Sequence, residues 1–320
     1  MKKTSPFVTI VTPVLNEQTA LADYAAAVSS ALLCRSDCRF EVLIVDDGST
    51  DGSWGEILNL CRRNPSFKGI RLSRNFGIHA AISAGIQRAS GDAVVILACD
   101  LQDPPAVINR FIEKWRAGAR IVWGRRASRQ DGFWRGRVSG IFYRILRKHA
   151  MPRGSKFTTG SFLLADRKVI ECFKSFGEHN RITFALVAWT GFDQDVVDYD
   201  RVARRAGQSK WRIGALFKAM YDAFLSFSLL PVRLITLLGV AVFIMSLAMG
   251  VYILVAWLVG NPAPGWTSQM LALFFFFGLQ FLLLGIVGEY LYRIYTEVTH
   301  RPLYFIAESS ADEDGHDAAG

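Results

Sequence analysis

Short apolar runs alternate with amphipathic helical patterns between Phe7 and Val122. The apolar, β-branched runs predict four strands, at Phe7–Thr12, Glu41–Val45, Gly69–Leu72 and Ala93–Leu97. Apolar residues at helical spacing predict four helices, at Glu17–Leu32, Gly52–Arg62, Ile78–Ala89 and Pro105–Arg116. Because strands and helices alternate, the pattern predicts an α/β domain in which helices cover both faces of a mostly parallel sheet.

Polar clusters follow the carboxyl ends of the four predicted strands. They are Pro13–Glu17, Asp46–Ser49, Ser73–Gly77 and Asp100–Asp103. In a parallel sheet these ends share one edge, and ligands bind beyond it. On an extended chain the side chains of Asp100 and Gln102 would point the same way and offer oxygen ligands to Mg²⁺ or Mn²⁺. For Asp46–Ser49 alone, an ordinary turn and helix cap is the alternative.

Two segments in the C-terminal part are too apolar for the core of a soluble domain. Leu234–Val259 and Met270–Gly288 contain no charged residue, and about 20 apolar residues suffice to cross a bilayer. Arg233 precedes the first segment, and Arg293 and Arg301 follow the second. By the positive-inside rule, both flanks and the long N-terminal part then face the cytoplasm. We therefore predict a multi-pass protein of the inner (plasma) membrane.

These segments divide the chain into four predicted parts. They are a cytosolic domain at 1–210, an amphipathic juxtamembrane helix at 211–231, a two-helix transmembrane hairpin at 232–295 and a cytosolic acidic tail at 296–320. We expect the chain from Glu308 onward to be solvated and disordered, because it is acidic. The five cysteines lack a C-x-x-C pair, so neither a disulfide framework nor a zinc site is indicated.

The formal charge of +9 points to an anionic partner, and its distribution narrows the choice. Arg116–Lys156 holds twelve Lys and Arg residues and a single acid, Asp131. Within it, Phe133–His149 has the pattern of a basic amphipathic helix on a membrane surface, with an ordinary packed helix as the alternative. Nucleic acid is the rival anion, but no nucleic-acid-binding motif accompanies the charge. The block therefore predicts contact with membrane lipids and a lipid phosphate.

Sequence strings at the strand ends resemble a known family. VTPVLNE, VDDGSTDGS, SRNFGIHAAISAG and DLQDPP resemble glycosyltransferase family 2, which has the GT-A (Rossmann-like) fold. GSFLLADRKVI, EHNRITFALVAWTGF, RRAGQSKW and SFSLLPVRL, with the two apolar segments, resemble its polyprenyl-phosphate glycosyltransferases, relatives of dolichol-phosphate mannose synthase. The resemblance covers about Phe7–Pro302. It implies inverting, metal-dependent transfer of a sugar from a nucleotide diphosphate sugar to polyprenyl (undecaprenyl) phosphate, for modification of a cell-envelope glycan.

The resemblance implies a nucleotide-site role for Pro13, Asn16, Glu17, Asp46 and Asp47 and an essential role for Asp100 beside the metal. Strand-end position and basic charge suggest the other candidates. The catalytic candidates are Asp100, Arg125 and Arg126, and the candidate ligands of Mg²⁺ or Mn²⁺ are Asp100 and Gln102. The nucleotide-binding candidates are Pro13, Asn16, Glu17, Asp46, Asp47, Arg74 and Asn75. The candidates for binding the acceptor phosphate are Arg129, Arg204, Arg205, Ser209 and Lys210.

One departure from the family pattern concerns the metal site. The family commonly has Asp-Ala-Asp where this chain has Ala98-Cys99-Asp100. Ala98 has no ligand atom, so one metal contact must come from water, Gln102 or the diphosphate. Two alternatives stay open: a membrane polysaccharide synthase of the same fold, and a non-catalytic nucleotide-binding scaffold, which Ala98 favours. The sugar, the base and the oligomeric state are also open, a homo-oligomer included.

Overall fold

A computed structural model describes residues 5–127, 156, 161–178, 182–202 and 265–311, together with scattered positions between 240 and 259. The chain divides into two compact units. The first comprises Met1–Ala219 and Pro302–Gly320, and the second comprises Met220–Arg301.

The described part of the first unit contains an eight-stranded sheet. Its strands are β1 (Phe7–Val14), β2 (Arg39–Asp46), β3 (Phe67–Leu72), β4 (Ala93–Ile96), β5 (Ile121–Arg126), β6 (Leu163–Asp166), β7 (Gln194–Tyr199) and β8 (Ile306–Ser309). They lie in the order β7-β5-β6-β4-β1-β2-β3-β8. Strands β1 to β4 are parallel to their neighbours within that set, and β7 is parallel to β5. Only β6 and β8 run antiparallel, so the predicted mostly parallel α/β sheet is confirmed.

In the described part of the first unit, six α-helices cover both faces of this sheet, as expected. They are α1 (Gln18–Val28), α2 (Ser53–Arg63), α3 (Ile78–Arg88), α4 (Val107–Arg116), α5 (Arg167–Ser175) and α6 (Thr183–Trp189). Helices α1, α2 and α4 contribute Tyr24, Trp54 and Phe111 to one hydrophobic core on the sheet. On the opposite face α3 packs closely on β1, because a Cβ on Gly85 would overlap the side chain of Val11. Glycine is therefore required at this contact.

The first residues of the predicted acidic tail are ordered where we expected disorder. Strand β8 pairs antiparallel with β3 at the edge of the sheet. Glu308 accepts hydrogen bonds from Trp54 Nε1 at 2.7 Å and from Arg71 Nη1 at 2.9 Å. The N–H of Gly69 donates to Ser310 Oγ at 2.9 Å. The prediction of a solvated, disordered segment from Glu308 onward is therefore wrong for its first residues.

The second unit contains the long helix α7 (Trp266–Val298). Within it, Phe275–Val298 is the one stretch among the described residues that is long and apolar enough to cross a membrane. Large apolar side chains along it are exposed, Phe275 by 65% and Leu291 by 61%. This helix covers the second predicted transmembrane segment, Met270–Gly288.

The first predicted transmembrane segment, Leu234–Val259, lies mostly outside the described residues. Its described positions, including Ile244 and Val255, are exposed, and all of them except Val259 are helical. The juxtamembrane helix predicted at 211–231 and the basic helix predicted at Phe133–His149 lie wholly outside the described residues. The two-helix hairpin therefore stays a prediction.

Candidate functional site

Hydrogen bonds join the first two polar clusters at the carboxyl edge of β1 and β2. The strands are in register, so that Val14 lies beside Asp46. The N–H of Asn16 donates to Ser49 Oγ at 2.9 Å, and the N–H of Thr50 donates to Asn16 Oδ1 at 2.8 Å. Asn16 has a φ of 53°, a left-handed conformation that asparagine tolerates better than most residues. Asn16 and Asp46, two of the predicted nucleotide-binding residues, are thus neighbours.

Pro13 and Glu17 lie at the same edge of the sheet. Pro13 is next to the last residue of β1 and lies beside Val45 of β2. Glu17 immediately precedes α1, and its N–H donates to Ser53 Oγ at 3.0 Å, at the start of α2. Both side chains are half-buried. The starts of α1 and α2 therefore meet here, where their N-terminal partial charges favour an anion.

Asp47 connects the second polar cluster to the third. Its side chain is buried, and its two oxygens accept hydrogen bonds from the N–H groups of Phe76 at 2.8 Å and Gly77 at 2.9 Å. Burial raises the pKa of Asp47, and the two backbone donors oppose that rise. The carboxyl thus holds the loop between β3 and α3 against the end of β2.

Gly48 lets that loop approach closely. Its φ is 69°, and a Cβ at this position would overlap the Arg74 carbonyl carbon and lie 2.7 Å from Asn75 N. The side chains of Arg74 and Asn75 are exposed. The Arg74 guanidinium lies over the Phe76 ring, 4.2 Å from its centroid. Two more of the predicted nucleotide-binding side chains are therefore accessible at the rim of the site.

Asp46 is fully buried and forms the turn that we considered as the alternative. The N–H of Ser49 donates to its Oδ1 at 3.0 Å, and its Oδ2 lies 3.4 Å from Arg71 Nε. Burial raises the pKa of Asp46, while Ser49 and Arg71 lower it. Oδ2 has no hydrogen-bond partner among the described residues, but it is itself buried and faces Arg71. Asp46 therefore shapes the turn at the edge of the site.

The segment after β4 is a tight turn, so the expectation of an extended chain at Asp100 and Gln102 is wrong. Strand β4 ends at Ile96, and Leu101 has a φ of 53°. The N–H of Gln102 donates to Asp100 Oδ1 at 3.2 Å. A left-handed conformation at a leucine costs about 1–3 kcal/mol and persists only where neighbouring structure enforces it. Asp100 and Gln102 are brought together by this turn and are both half-buried.

Asp100 and Gln102 suit a divalent cation in part. One carboxylate and one amide oxygen are the hard ligands that Mg²⁺ and Mn²⁺ prefer. Within the described ranges no group of three or more His, Cys, Asp or Glu side chains could hold a metal ion. A cation here would therefore complete its coordination with water and a substrate diphosphate, which is how Mg²⁺ is usually bound. Ala98, half-buried beside this turn, contributes no ligand.

The two candidate catalytic arginines differ in their contacts. Arg125 forms a two-pronged ion pair with Asp198, at 2.5 Å from Nε and 2.8 Å from Nη2. This contact lowers the pKa of Asp198. Arg126 lies beside Tyr199 in the β5–β7 pair, and its Nε is buried without a hydrogen-bond partner among the described residues. Asp198 was not among the predicted site residues; the signal that could have indicated it is the acidic repeat DQDVVDYD, which begins at Asp193.

Acids from elsewhere in the chain neutralise most of the described basic residues of Arg116–Lys156. The ion pairs are Arg116–Asp37 at 2.8 Å, Arg120–Asp166 at 2.9 Å, Arg125–Asp198 at 2.5 Å and Lys156–Asp195 at 3.8 Å. The described ends of the block therefore do not form the predicted cationic surface, and residues 128–155 lie outside the described part. The acceptor-phosphate candidates also lie outside it: Arg129, Arg204, Arg205, Ser209 and Lys210.

Known proteins resemble the chain over most of its length. A family model described as Glycosyl transferase family 2 matches residues 9–173. An uncharacterized glycosyltransferase of Synechocystis sp. is 37% identical, over 93% of this chain and 94% of that protein. The bactoprenol glucosyl transferase of Shigella phage SfII is 35% identical, over 94% of this chain and 98% of that protein. Among solved structures, glucosyl-3-phosphoglycerate synthase from Mycobacterium tuberculosis has a TM-score of 0.48 and 18% identity, over 70% of this chain and 80% of that one.

Proposed function

Because the chain belongs to glycosyltransferase family 2, we propose that this glycosyltransferase moves a sugar from a nucleotide diphosphate sugar to polyprenyl phosphate. The observation that carries the proposal is the nearly full-length likeness to the phage bactoprenol glucosyl transferase, which includes the C-terminal apolar segments. Its name specifies a bactoprenol lipid and glucose. We therefore assign this chain an undecaprenyl-type phosphate acceptor, with glucose as the first sugar to test.

The nucleotide end of the donor would bind at the edge formed by β1, β2 and the loop after β3. Arg74 and Asn75 are exposed there and can donate hydrogen bonds to phosphate or ribose oxygens. Asp46 and Asp47 are both buried. Asp46 accepts the Ser49 N–H, and both oxygens of Asp47 accept backbone N–H groups. These two residues would therefore act by holding the turn and the loop that the nucleotide contacts.

Asp100 and Gln102 would hold a divalent cation, Mg²⁺ or Mn²⁺, which stabilises the charge that develops on a leaving diphosphate. Their side chains are half-buried. Partial burial lowers the local dielectric and strengthens the attraction between this carboxylate and a cation. The starts of α1 and α2 add partial positive charge at the same edge.

The acceptor oxygen needs little activation, because the second pKa of a phosphate monoester is about 6. Its attack on the anomeric carbon forms the sugar–phosphate bond and breaks the bond to the diphosphate, which leaves as the nucleoside diphosphate. Attack from the side opposite the leaving group inverts the anomeric centre. Of the two candidate arginines, Arg126 is the better placed for substrate phosphate, because Arg125 is engaged by Asp198.

A polyprenyl acceptor requires access to a membrane, and Phe275–Val298 is a candidate span. We extend this to a two-helix hairpin formed with Leu234–Val259, with the first unit at the cytoplasmic face. In that arrangement the basic residues between Ala127 and Lys156 would meet anionic headgroups, each contributing about 1 kcal/mol near the surface.

The direct test is product formation in membranes that contain the full chain. Polyprenyl phosphate and a panel of nucleotide sugars are supplied with Mn²⁺, and lipid products are weighed by mass spectrometry. Wild type should add one sugar to the lipid phosphate, and Asp100→Asn should abolish it. Asp37→Asn is the matched control, because Asp37 pairs with Arg35 and Arg116 next to the start of β2, at the opposite edge of the sheet.

Two results would contradict the proposal in different ways. Unchanged lipid-linked sugar in Asp100→Asn would overturn the metal-dependent mechanism while leaving the transfer intact. No glycosylated lipid from wild type, with an active control enzyme in the same membranes, would instead favour the scaffold that Ala98 suggests.

A further inference from the structure

The chain that leaves β7 is bonded directly to the turn that carries Asp100 and Gln102. The Tyr199 hydroxyl donates to Asp103 Oδ1 at 2.5 Å, and the N–H of Val202 donates to the Gln102 carbonyl at 3.0 Å. Arg201 Nε lies 3.9 Å from the same Asp103 oxygen. We call Gln102, Asp103, Tyr199 and Val202 the turn clasp. It joins two segments that are about a hundred residues apart in sequence.

The Tyr199–Asp103 contact of the turn clasp is buried and tightly packed. Asp103 is 2% exposed and Tyr199 is 4% exposed. The Tyr199 ring meets the edge of Phe162 at 5.6 Å and lies so close to β5 that a Cβ on Gly124 would be 2.9 Å from it. A buried carboxylate without a strong donor costs several kcal/mol. The hydrogen bond from the Tyr199 hydroxyl therefore stabilises Asp103 in this buried position, and it holds the turn in place with it.

Tyr199 also lies beside a candidate catalytic residue, because it pairs with Arg126 in the β5–β7 ladder. Burial and Asp103 raise the pKa of Tyr199, and the Arg126 side chain opposes that rise. Tyr199 therefore keeps its proton near neutral pH and donates it to Asp103. One residue thus adjoins both the turn that contains Asp100 and the arginine at the end of β5.

We infer that Tyr199 and Asp103 are positioning residues that hold the strained Asp100–Gln102 turn in the conformation that binds a divalent cation. The inference rests on the proposed function and adds residues for which no role was expected. Leu101 is left-handed within this turn, and the turn clasp supplies the restraint that such a conformation needs. Partners that orient metal ligands from behind change metal affinity about 10- to 100-fold when they are removed.

The test is Mn²⁺ binding by the detergent-solubilised full chain, measured with Mn²⁺ alone by the loss of the free-ion paramagnetic resonance signal. Tyr199→Phe removes one oxygen and keeps the ring, and should raise the Mn²⁺ dissociation constant about tenfold or more. Asp103→Asn should act in the same direction. Since both act through one contact, the double variant should bind no more weakly than the weaker single variant.

Asp166→Asn is the matched control. Asp166 is also a buried aspartate, 5% exposed, and accepts from Trp115 Nε1 at 2.7 Å and Arg120 Nη1 at 2.9 Å. It pairs with Ala93 at the start of β4, the end away from Asp100. Asp166→Asn should therefore lower the thermal unfolding midpoint and leave Mn²⁺ affinity unchanged.

The outcomes separate the inference from the proposed function. If Tyr199→Phe and Asp103→Asn lower the unfolding midpoint yet bind Mn²⁺ like wild type, the turn clasp is structural only and the inference is wrong. Wild type that binds no Mn²⁺ also overturns it. Lipid-linked sugar formation by wild type, measured in parallel, decides the proposed function independently of either result.

Discussion

Protonation of His79 should destabilise the first unit, because its imidazole is half-buried and already accepts a hydrogen bond. The N–H of Thr183, at the start of α6, donates to His79 Nδ1 at 3.3 Å. The Phe184 ring packs edge-on against the imidazole at 5.8 Å. Burial lowers the pKa of His79 from 6.5 to about 4. A proton on Nδ1 would end the hydrogen bond from the Thr183 N–H, and Thr183 Oγ1, 3.3 Å from the same nitrogen, could accept that proton instead. The main cost of protonation is therefore the burial of the charge.

The size of the effect follows from that difference in pKa. At about 1.36 kcal/mol per pKa unit, the lowered value corresponds to roughly 3 kcal/mol. The folded state binds fewer protons than the unfolded state in this window, so stability falls as the pH falls. The contribution of neutral His79 to the free energy of unfolding is fully present above pH 6.5 and is lost progressively as the pH approaches about 4. For a unit of this size, a loss of roughly 3 kcal/mol lowers Tm by about 6–12 °C.

The assay compares thermal unfolding of the detergent-solubilised full chain with that of His79→Gln across this pH window. Glutamine cannot be protonated, and its carbonyl oxygen can still accept from Thr183. Carboxylates titrate alike in both proteins, so only the difference in Tm reports on His79. Wild type should lose about 6–12 °C more than the variant as the pH falls. Parallel curves for the two proteins would refute the burial argument.

Three further substitutions should have separable effects. Gly48→Ala should weaken nucleoside diphosphate binding about tenfold or more in isothermal titration, since its Cβ would overlap the Arg74 backbone; Gly55→Ala, with open space around it, should not. Glu308→Ala should speed proteolysis around β8, and equal cleavage would show that its hydrogen bonds do not hold the strand. Glu41→Gln should lower the free energy of unfolding by about 1–3 kcal/mol near neutral pH. Burial raises the pKa of Glu41, but its hydrogen-bond donors lower that pKa by more, so the net pKa is lowered. In denaturant titrations the difference in unfolding free energy between wild type and Glu41→Gln should therefore vanish as the pH falls through this lowered pKa.

The half of the fold that could be predicted is the half that local patterns encode. Strands β1 to β4 and helices α1 to α4 all occur where periodicity predicts them, with ends shifted by a few residues. Their apolar runs are buried on both faces of a parallel sheet, which leaves an unbroken signal in sequence. The convergence of four polar clusters followed from topology alone, because parallel strands bring their carboxyl ends to one edge.

Strand β8 could not be found in this way. Its four residues follow the 33-residue helix α7 and pair with β3, more than 200 residues earlier. Isolated from that partner, the segment reads as the start of an acidic tail. The carboxylate of Glu308 accepts hydrogen bonds from the side chains of Trp54 and Arg71. The need for an acidic residue at this position is therefore apparent only when the two segments are adjacent. The same limitation applies to the basic block, whose described ends are neutralised by aspartates distant in sequence.

The Asp100 turn shows why a site can be located from sequence and still be misdescribed. The alternation of side chains holds only on extended chain, and the chain leaves that conformation at Leu101. No local signal predicts a left-handed leucine, because its cost must be balanced by contacts elsewhere. Those contacts come from Tyr199 and Val202, at the far end of β7. The proposed ligand atoms of Asp100 and Gln102 are therefore encoded in one short motif. The conformation of the turn that carries them is fixed, in our inference, by residues about a hundred positions later. Because Ala98 offers no ligand atom, the proposed metal site depends on that conformation more than a site with a second carboxylate would.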